Sequence, residues 1–170
     1  LSTDYVFDGT KASPYLETDP TRPQSVYGAT KLAGETAIAN SGARHVILRV
    51  SWVHAPEGKN FVRTMLRLAG SRERLGVVAD QIGRPTYAPH LAIALRDVAA
   101  RLVMDPDAPT GVFHLTGSGE PCSWRQFAEA IFAASRVRGG PSAVAEPIPA
   151  SAYPTPAKRP ANSVLDCTRI

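Results

Sequence analysis

Nowhere does the chain approach the roughly 18 consecutive apolar residues that a membrane-crossing helix requires, so no membrane span is expected. Its opening, Leu1-Ser2-Thr3-Asp4, has neither the basic start nor the apolar middle of a signal peptide, and a cytoplasmic protein is expected. Cysteine is scarce: Cys122 and Cys167 stand alone, with no second Cys or His at metal-ligand spacing. That favours two free thiols over a disulfide framework and gives no reason to expect a metal site. The four histidines, His45, His54, His90 and His114, are scattered as well. Basic residues outnumber acidic ones by 19 to 15, a formal net charge of +4, yet they form no basic block and no aromatic-interleaved run. Nucleic-acid binding needs such a clustered footprint, so nucleic acid is not expected as a partner. A mildly basic surface also suits dianionic small molecules. There is no internal repeat. There is also no Gly-x-x-Gly-x-x-Gly, the turn that seats a dinucleotide pyrophosphate in α/β folds.

What is present suffices for one ordinary domain with a real core: 170 residues, 44% hydrophobic and 20% charged. Leu1-Ser2-Thr3 reads as the tail of a strand, followed by a long loop containing Pro14, Pro20 and Pro23. Ser25 caps a helix predicted over 26–40, which Ser41-Gly42 ends. His45-Val-Ile-Leu-Arg-Val50 is a short β-branched apolar run, suited to a buried parallel strand. Strand, helix and strand make a βαβ unit, so the fold class is α/β with a parallel sheet. Further on, residues 60–69 form a helix with Phe61, Met65 and Leu68 on one face and Arg63 and Arg67 on another. A strand is expected at 75–79, a loop at 80–86, a helix from Pro89 to Met104 and a strand at 112–115. Ser123 and Gln126 fit a capping box for a helix reaching Val137. The last thirty residues carry six prolines and read as an extended segment wrapped over the surface.

Tyr27 and Lys31 lie four apart on the first helix, which places both side chains on one face. A free phenol has a pKa of about 10 and is a poor proton partner at neutral pH. An ammonium held close favours the phenolate, which makes such a Tyr a usable acid and base for carbonyl–alcohol interconversion. Taken alone, a Tyr and a Lys at this spacing describe many ordinary helices. Here the pair sits on the crossover helix of a βαβ unit, and Thr3 leaves the carboxyl end of the preceding strand, where ligands bind in such sheets.

Two stretches, Ser2-Thr-Asp-Tyr-Val-Phe-Asp-Gly9 and Val26-Tyr-Gly-Ala-Thr-Lys-Leu-Ala-Gly-Glu35, resemble the extended short-chain dehydrogenase/reductase family. Four more segments narrow the likeness to the dTDP-4-dehydrorhamnose reductase branch. They are Arg49-Val-Ser-Trp-Val53, Gly58-Lys-Asn-Phe61, Asp80-Gln-Ile-Gly-Arg-Pro-Thr86 and Arg159-Pro-Ala-Asn-Ser163. The resemblance runs from the first residue almost to the last. It implies reduction of the C4 keto group of dTDP-4-dehydro-L-rhamnose to dTDP-L-rhamnose by NADPH or NADH, in dTDP-rhamnose biosynthesis. By the same resemblance Tyr27 protonates the developing alkoxide, while Lys31, with Leu1 beside it, contacts the cofactor at the nicotinamide ribose. Thr3 hydrogen-bonds the substrate oxygen and Asp4 contacts the sugar. Trp52 packs its ring on the deoxysugar, and Asn60, Gln81 and Arg84 are candidates for the nucleotide diphosphate. Simpler roles compete for some of these: core aromatic for Trp52, helix cap for Asn60, solvated loop charge for Arg84. Arg159 and Asn162 either brace the site or pin the C-terminal segment.

The implied architecture is the back half of a Rossmann-type parallel sheet plus a smaller α/β substrate-binding domain. Residues 1–50 would be the C-terminal part of the NAD(P)-binding domain and residues 51–170 mainly the substrate-binding domain. The family can use Mg²⁺ at a subunit contact, and a homodimer is open to it; the sequence displays no such Mg²⁺ site. His54 stands where the family more often has Tyr or Phe, and His90 where it tends to have Asp, which leaves local substrate contacts open. Without the glycine turn, these 170 residues are expected to be a C-terminal fragment that neither binds NADPH nor turns over by itself. Two alternatives remain, a sugar-nucleotide epimerase of the same superfamily and a non-catalytic regulatory subunit with the same fold. A dehydratase is disfavoured, because Asp4-Tyr5 follows Thr3 where that chemistry uses an Asp-Glu pair.

Overall fold

The computed structural model describes every residue except Pro156. Strand β1 (Ser2–Thr3) runs into a 3₁₀ turn (Asp4–Val6) and the long loop, and then helix α1 (Val26–Ala39) begins. Ser25 starts that helix in extended conformation, its hydroxyl accepting from the Gly28 amide and so satisfying a donor the first turn leaves free. Strand β2 (Val46–Val50) returns parallel to β1, with Ser2 opposite Arg49 and Thr3 opposite Val50. This is the βαβ unit expected from the sequence.

Beyond it come β3 (Val53–His54), α2 (Phe61–Ala69), β4 (Arg74–Val78), β5 (Ile82–Gly83), β6 (Thr86–Tyr87) and α3 (Ala88–Met104). The chain then forms β7 (Gly111–His114), β8 (Cys122–Ser123), α4 (Trp124–Val137) and β9 (Val144–Ile148). Strand β7 comes back to lie parallel on the far side of β2, giving a sheet ordered β1-β2-β7. Three two-stranded pairs complete the architecture: β3 with β6 and β4 with β9 in parallel, β5 with β8 antiparallel.

Helices α1, α2 and α4 start where their caps predict. Asn60 accepts from the Arg63 amide at the start of α2, and Ser123 and Gln126 close the full capping box on α4. The last thirty residues differ from the extended surface segment the prolines suggest. Residues 144–148 pair along the whole length of β4, and a second 3₁₀ turn (Ala150–Ala152) follows. Pro147 is tolerated because β9 has a neighbour on one side, so a missing N–H need not break a central ladder.

Two apolar clusters hold the elements together. Met65, Leu75, Val77, Ile131 and Phe132 join α2, β4 and α4. Val6, Phe7, Tyr15 and Leu165 form the other, under Leu32 of α1, and tie the chain's end to its beginning. A buried ion pair anchors α1 to the sheet: Glu35 accepts two hydrogen bonds from Arg49 Nε and one from Nη2, the last at 2.6 Å. Removing one member of such a pair costs about 3–5 kcal/mol, because the other charge is left buried and uncompensated. Gly28 brings the helix down onto the 3₁₀ turn; a Cβ there would lie 2.2 Å from the Tyr5 carbonyl oxygen. Cys122 and Cys167 are both free thiols. Among the described residues, no helix is long and apolar enough to cross a membrane.

Candidate active site

The junction of β1, the 3₁₀ turn and the start of α1 holds Thr3, Asp4 and Tyr27. Thr3 caps the turn, its hydroxyl accepting from the Tyr5 amide at 3.3 Å and donating to Asp4 Oδ1 at 3.0 Å. Asp4 is 3% exposed, with Oδ2 buried and unpaired, and burial pushes its carboxyl up to about 6 against the hydrogen bonds that favour the charged form. Tyr27, on the first turn of α1, is half-exposed and meets the Tyr5 ring edge-on, centroids 5.7 Å apart. One helical turn later, Lys31 Nζ donates to the Leu1 carbonyl at 3.3 Å. Thr3 thus ends β1 at the turn whose Tyr5 meets Tyr27, while Lys31 reaches the Leu1 carbonyl just before the strand. Burial raises the Tyr5 phenol as well, partly offset by the positive charge of Arg159 nearby.

A cavity of about 1220 Å³ opens between α2, β4 and the segment from Ala150 to Arg159. Phe61, Gln81 and Trp124 line it, with Arg67, Arg72, Lys158 and Arg159 contributing positive charge and no Asp or Glu among the lining residues. Of the residues proposed for the nucleotide, Gln81 lies on this wall; Asn60 and Arg84 do not. The Asn60 side chain caps α2 and donates to the Ala55 and Glu57 carbonyls, which is the capping role. Arg84 turns toward the C-terminal segment, donating to the Leu165 carbonyl at 3.4 Å with Nε buried and unpaired. Asn162 pins that segment, donating to the carbonyls of Lys11 and Ser13.

Trp52 is the only non-glycine described residue with positive φ, at 48°. Its indole stacks on Trp124 at 3.5 Å between centroids and 6° between planes, and packs so close to Gly83 that a Cβ there would come within 2.3 Å. One face of Trp52 is thus taken by Trp124, and Trp124 is the ring that reaches the cavity. Sequence reasoning missed Trp124, treating it only as the first residue after a cap; a second Trp beside a capping box is the sole local signal. His54 and His90 both lie against Tyr87, and His54 also meets Phe127, in an aromatic cluster with Phe61 and Trp124. Among the described residues no group of three or more His, Cys, Asp or Glu is placed to hold a metal, and nothing supports Mg²⁺.

The chain is 53% identical over 171 residues to a dTDP-4-dehydrorhamnose reductase of Burkholderia thailandensis, covering 96% of this chain and 57% of that protein. A reductase of the same name from Sinorhizobium fredii is 49% identical over 171 residues, covering 100% and 57%. The crystal structure of dTDP-4-dehydrorhamnose reductase from Bacillus anthracis in complex with NADP superposes with a TM-score of 0.88 at 34% identity, over 99% of this chain and 56% of that one. The chain spans a little over half the length of these relatives. The model of the RmlD substrate binding domain matches residues 1–170, and the chain belongs to that family.

Proposed function

We propose that this chain carries the reaction centre of an NAD(P)H-dependent reductase that converts dTDP-4-dehydro-L-rhamnose to dTDP-L-rhamnose. What supports the proposal is that Thr3 leads into the turn whose Tyr5 meets Tyr27, with Lys31 one helical turn on donating to the Leu1 carbonyl, in a chain 53% identical to a reductase of that name. Residues 1–50, with β7, would form the cofactor side, and most of 51–170 the substrate side.

The exposed Tyr27 phenol, and an ammonium tethered at the exposed Leu1 carbonyl, fit the nicotinamide end of the cofactor: a proton donor beside a donor group for a ribose hydroxyl. The bound nicotinamide would supply the hydride. Tyr27 gives its proton to the C4 oxygen as negative charge develops there, and Lys31, one turn away, offsets the negative charge the phenol acquires. Thr3 aligns that oxygen. Asp4 accepts a hydrogen bond from the Thr3 hydroxyl, and in its neutral form it would hold that hydroxyl less tightly and leave it freer to donate toward substrate. The apolar-walled, positively charged cavity suits a nucleotide diphosphate, with Gln81 and Arg159 on its wall and the Trp52–Trp124 stack beside it.

The deciding experiment is a reductase assay on the full-length protein. NADPH consumption should track dTDP-4-dehydro-L-rhamnose, with dTDP-L-rhamnose as the product. Interconversion of sugar epimers without net NADPH consumption would indicate an epimerase, and no turnover at all would indicate a regulatory subunit.

A further inference from the structure

Helix α1 presents Tyr27, Lys31 and Glu35 at four-residue intervals, so the three side chains stack along one face. The outer end of that face is the half-exposed Tyr27, and the inner end is Glu35, 6% exposed. Glu35 is held by both strands beneath it. The Ser2 hydroxyl on β1 donates to Oε1, and Arg49 on β2 donates from Nε to Oε1 at 3.0 Å and from Nη2 to Oε2 at 2.6 Å. Ser2 and Arg49 are register partners, so the two grips lie side by side. One turn along, Lys31 Nζ reaches the Leu1 carbonyl. Strand β1 therefore meets α1 at two rungs, Leu1 with Lys31 and Ser2 with Glu35, and the next residue, Thr3, carries the hydroxyl assigned to the substrate.

The chemistry uses Tyr27, Lys31 and Thr3 but has no need of Glu35. A buried carboxylate carries a desolvation penalty that an apolar side chain would not, and the known gain from such groups is registry. Sliding α1 along β1, or rolling it, would separate Glu35 from Ser2 and Arg49 together. The structure thereby admits one height of the helix over the strand. We propose that Glu35, gripped by Arg49 and Ser2, is a positioning residue that sets where Tyr27 and Lys31 stand relative to Thr3. The inference rests on the reductase reading above.

Two variants of the full-length enzyme test it in steady-state kinetics with NADPH. Glu35→Gln keeps the shape and an acceptor for Arg49 but loses the charge; Ser2→Ala removes only the β1 rung and leaves the ion pair. A misplacement of about 1 Å at a reacting group costs on the order of 10²-fold. Glu35→Gln should accordingly lower kcat by about 10- to 100-fold with KM for the sugar nucleotide little changed, and Ser2→Ala should give a smaller loss in the same direction. A pair that merely stabilised the fold would lower the melting temperature and leave kcat per folded molecule as in wild type; that result overturns the proposal. Should Glu35→Gln fail to fold, Ser2→Ala with unchanged kcat overturns it alone. Wild-type enzyme without reductase activity in the same assay would instead remove the underlying reading, and the positioning role with it.

Discussion

At Asp4 burial and charge are in conflict: the carboxyl is almost fully enclosed, one oxygen lacks a partner, and its pKa stands at about 6. A folded-state value above the unfolded one, about 3.9, means that the folded chain holds the proton more tightly. The associated stability is complete below about pH 3.9 and is lost as pH rises through 6, a cost of about 3 kcal/mol at neutral pH, at 1.36 kcal/mol for each unit. Asp4→Asn should therefore raise the melting temperature at pH 7.5 and give no such gain at pH 4; an equal gain at both would show that ionisation is not the cause. His114 works in the opposite sense. Burial lowers its pKa, so its contribution is present above about 6.5 and is lost as pH falls through the lower folded value. Trp52 sits in a left-handed conformation that costs about 1–3 kcal/mol in a non-glycine residue, and such strain clusters at functional sites. Trp52→Ala should weaken sugar-nucleotide binding more than NADPH binding in calorimetric titrations of the full-length protein. Equal losses for both ligands, or a lowered melting temperature alone, would leave Trp52 as a core aromatic stacked on Trp124.

Helix α1 carries Tyr27 and Lys31, two of the three proposed catalytic residues, and its placement depends on Gly28. In an exposed helix Gly→Ala is stabilising by about 1 kcal/mol. Here the added methyl would meet a backbone carbonyl at 2.2 Å, so the helix start has to lift off the turn. Gly28→Ala should destabilise the protein by about 1–3 kcal/mol, the range for overpacking, and reduce kcat as Tyr27 moves with the helix. Urea unfolding reads the first effect, and a stabilised variant would contradict it. The helices themselves were legible because their signals are local: Ser25, Asn60 and the Ser123–Gln126 box sit within four residues of the amides they serve. Strand β9 was not legible, since its partner β4 lies some seventy positions earlier and Pro147 argues against a strand on composition alone. The two-residue strands β3, β5, β6 and β8 are too short to show alternation. Glu35 looked like one more polar helix residue, because nothing near it in sequence announces Ser2 or Arg49.

For the molecule as a whole, the α/β architecture and the placing of Thr3 on the strand and Tyr27 and Lys31 on its crossover helix could be read from motif order, since a βαβ unit brings a strand's end and its crossover helix together. The cavity could not, because its walls come from α2, β4 and a C-terminal segment that only long-range packing assembles. On the proposed reading, the 170 residues hold the nicotinamide end of a cofactor site without the glycine turn that grips a pyrophosphate. Calorimetric titration of this chain alone with NADPH should accordingly show no binding in the micromolar range, and micromolar binding would mean that the pyrophosphate is held by other residues. The central claim is that Tyr27 is the proton donor of a sugar-nucleotide reductase, and the kinetics of Tyr27→Phe in the full-length protein test it most directly. Phenylalanine keeps the ring contact with Tyr5 and removes only the hydroxyl. General acid–base catalysis is worth about 10²–10⁴-fold, so kcat should fall within that range while the melting temperature stays at the wild-type value. A Tyr27→Phe enzyme that keeps wild-type kcat would contradict the account.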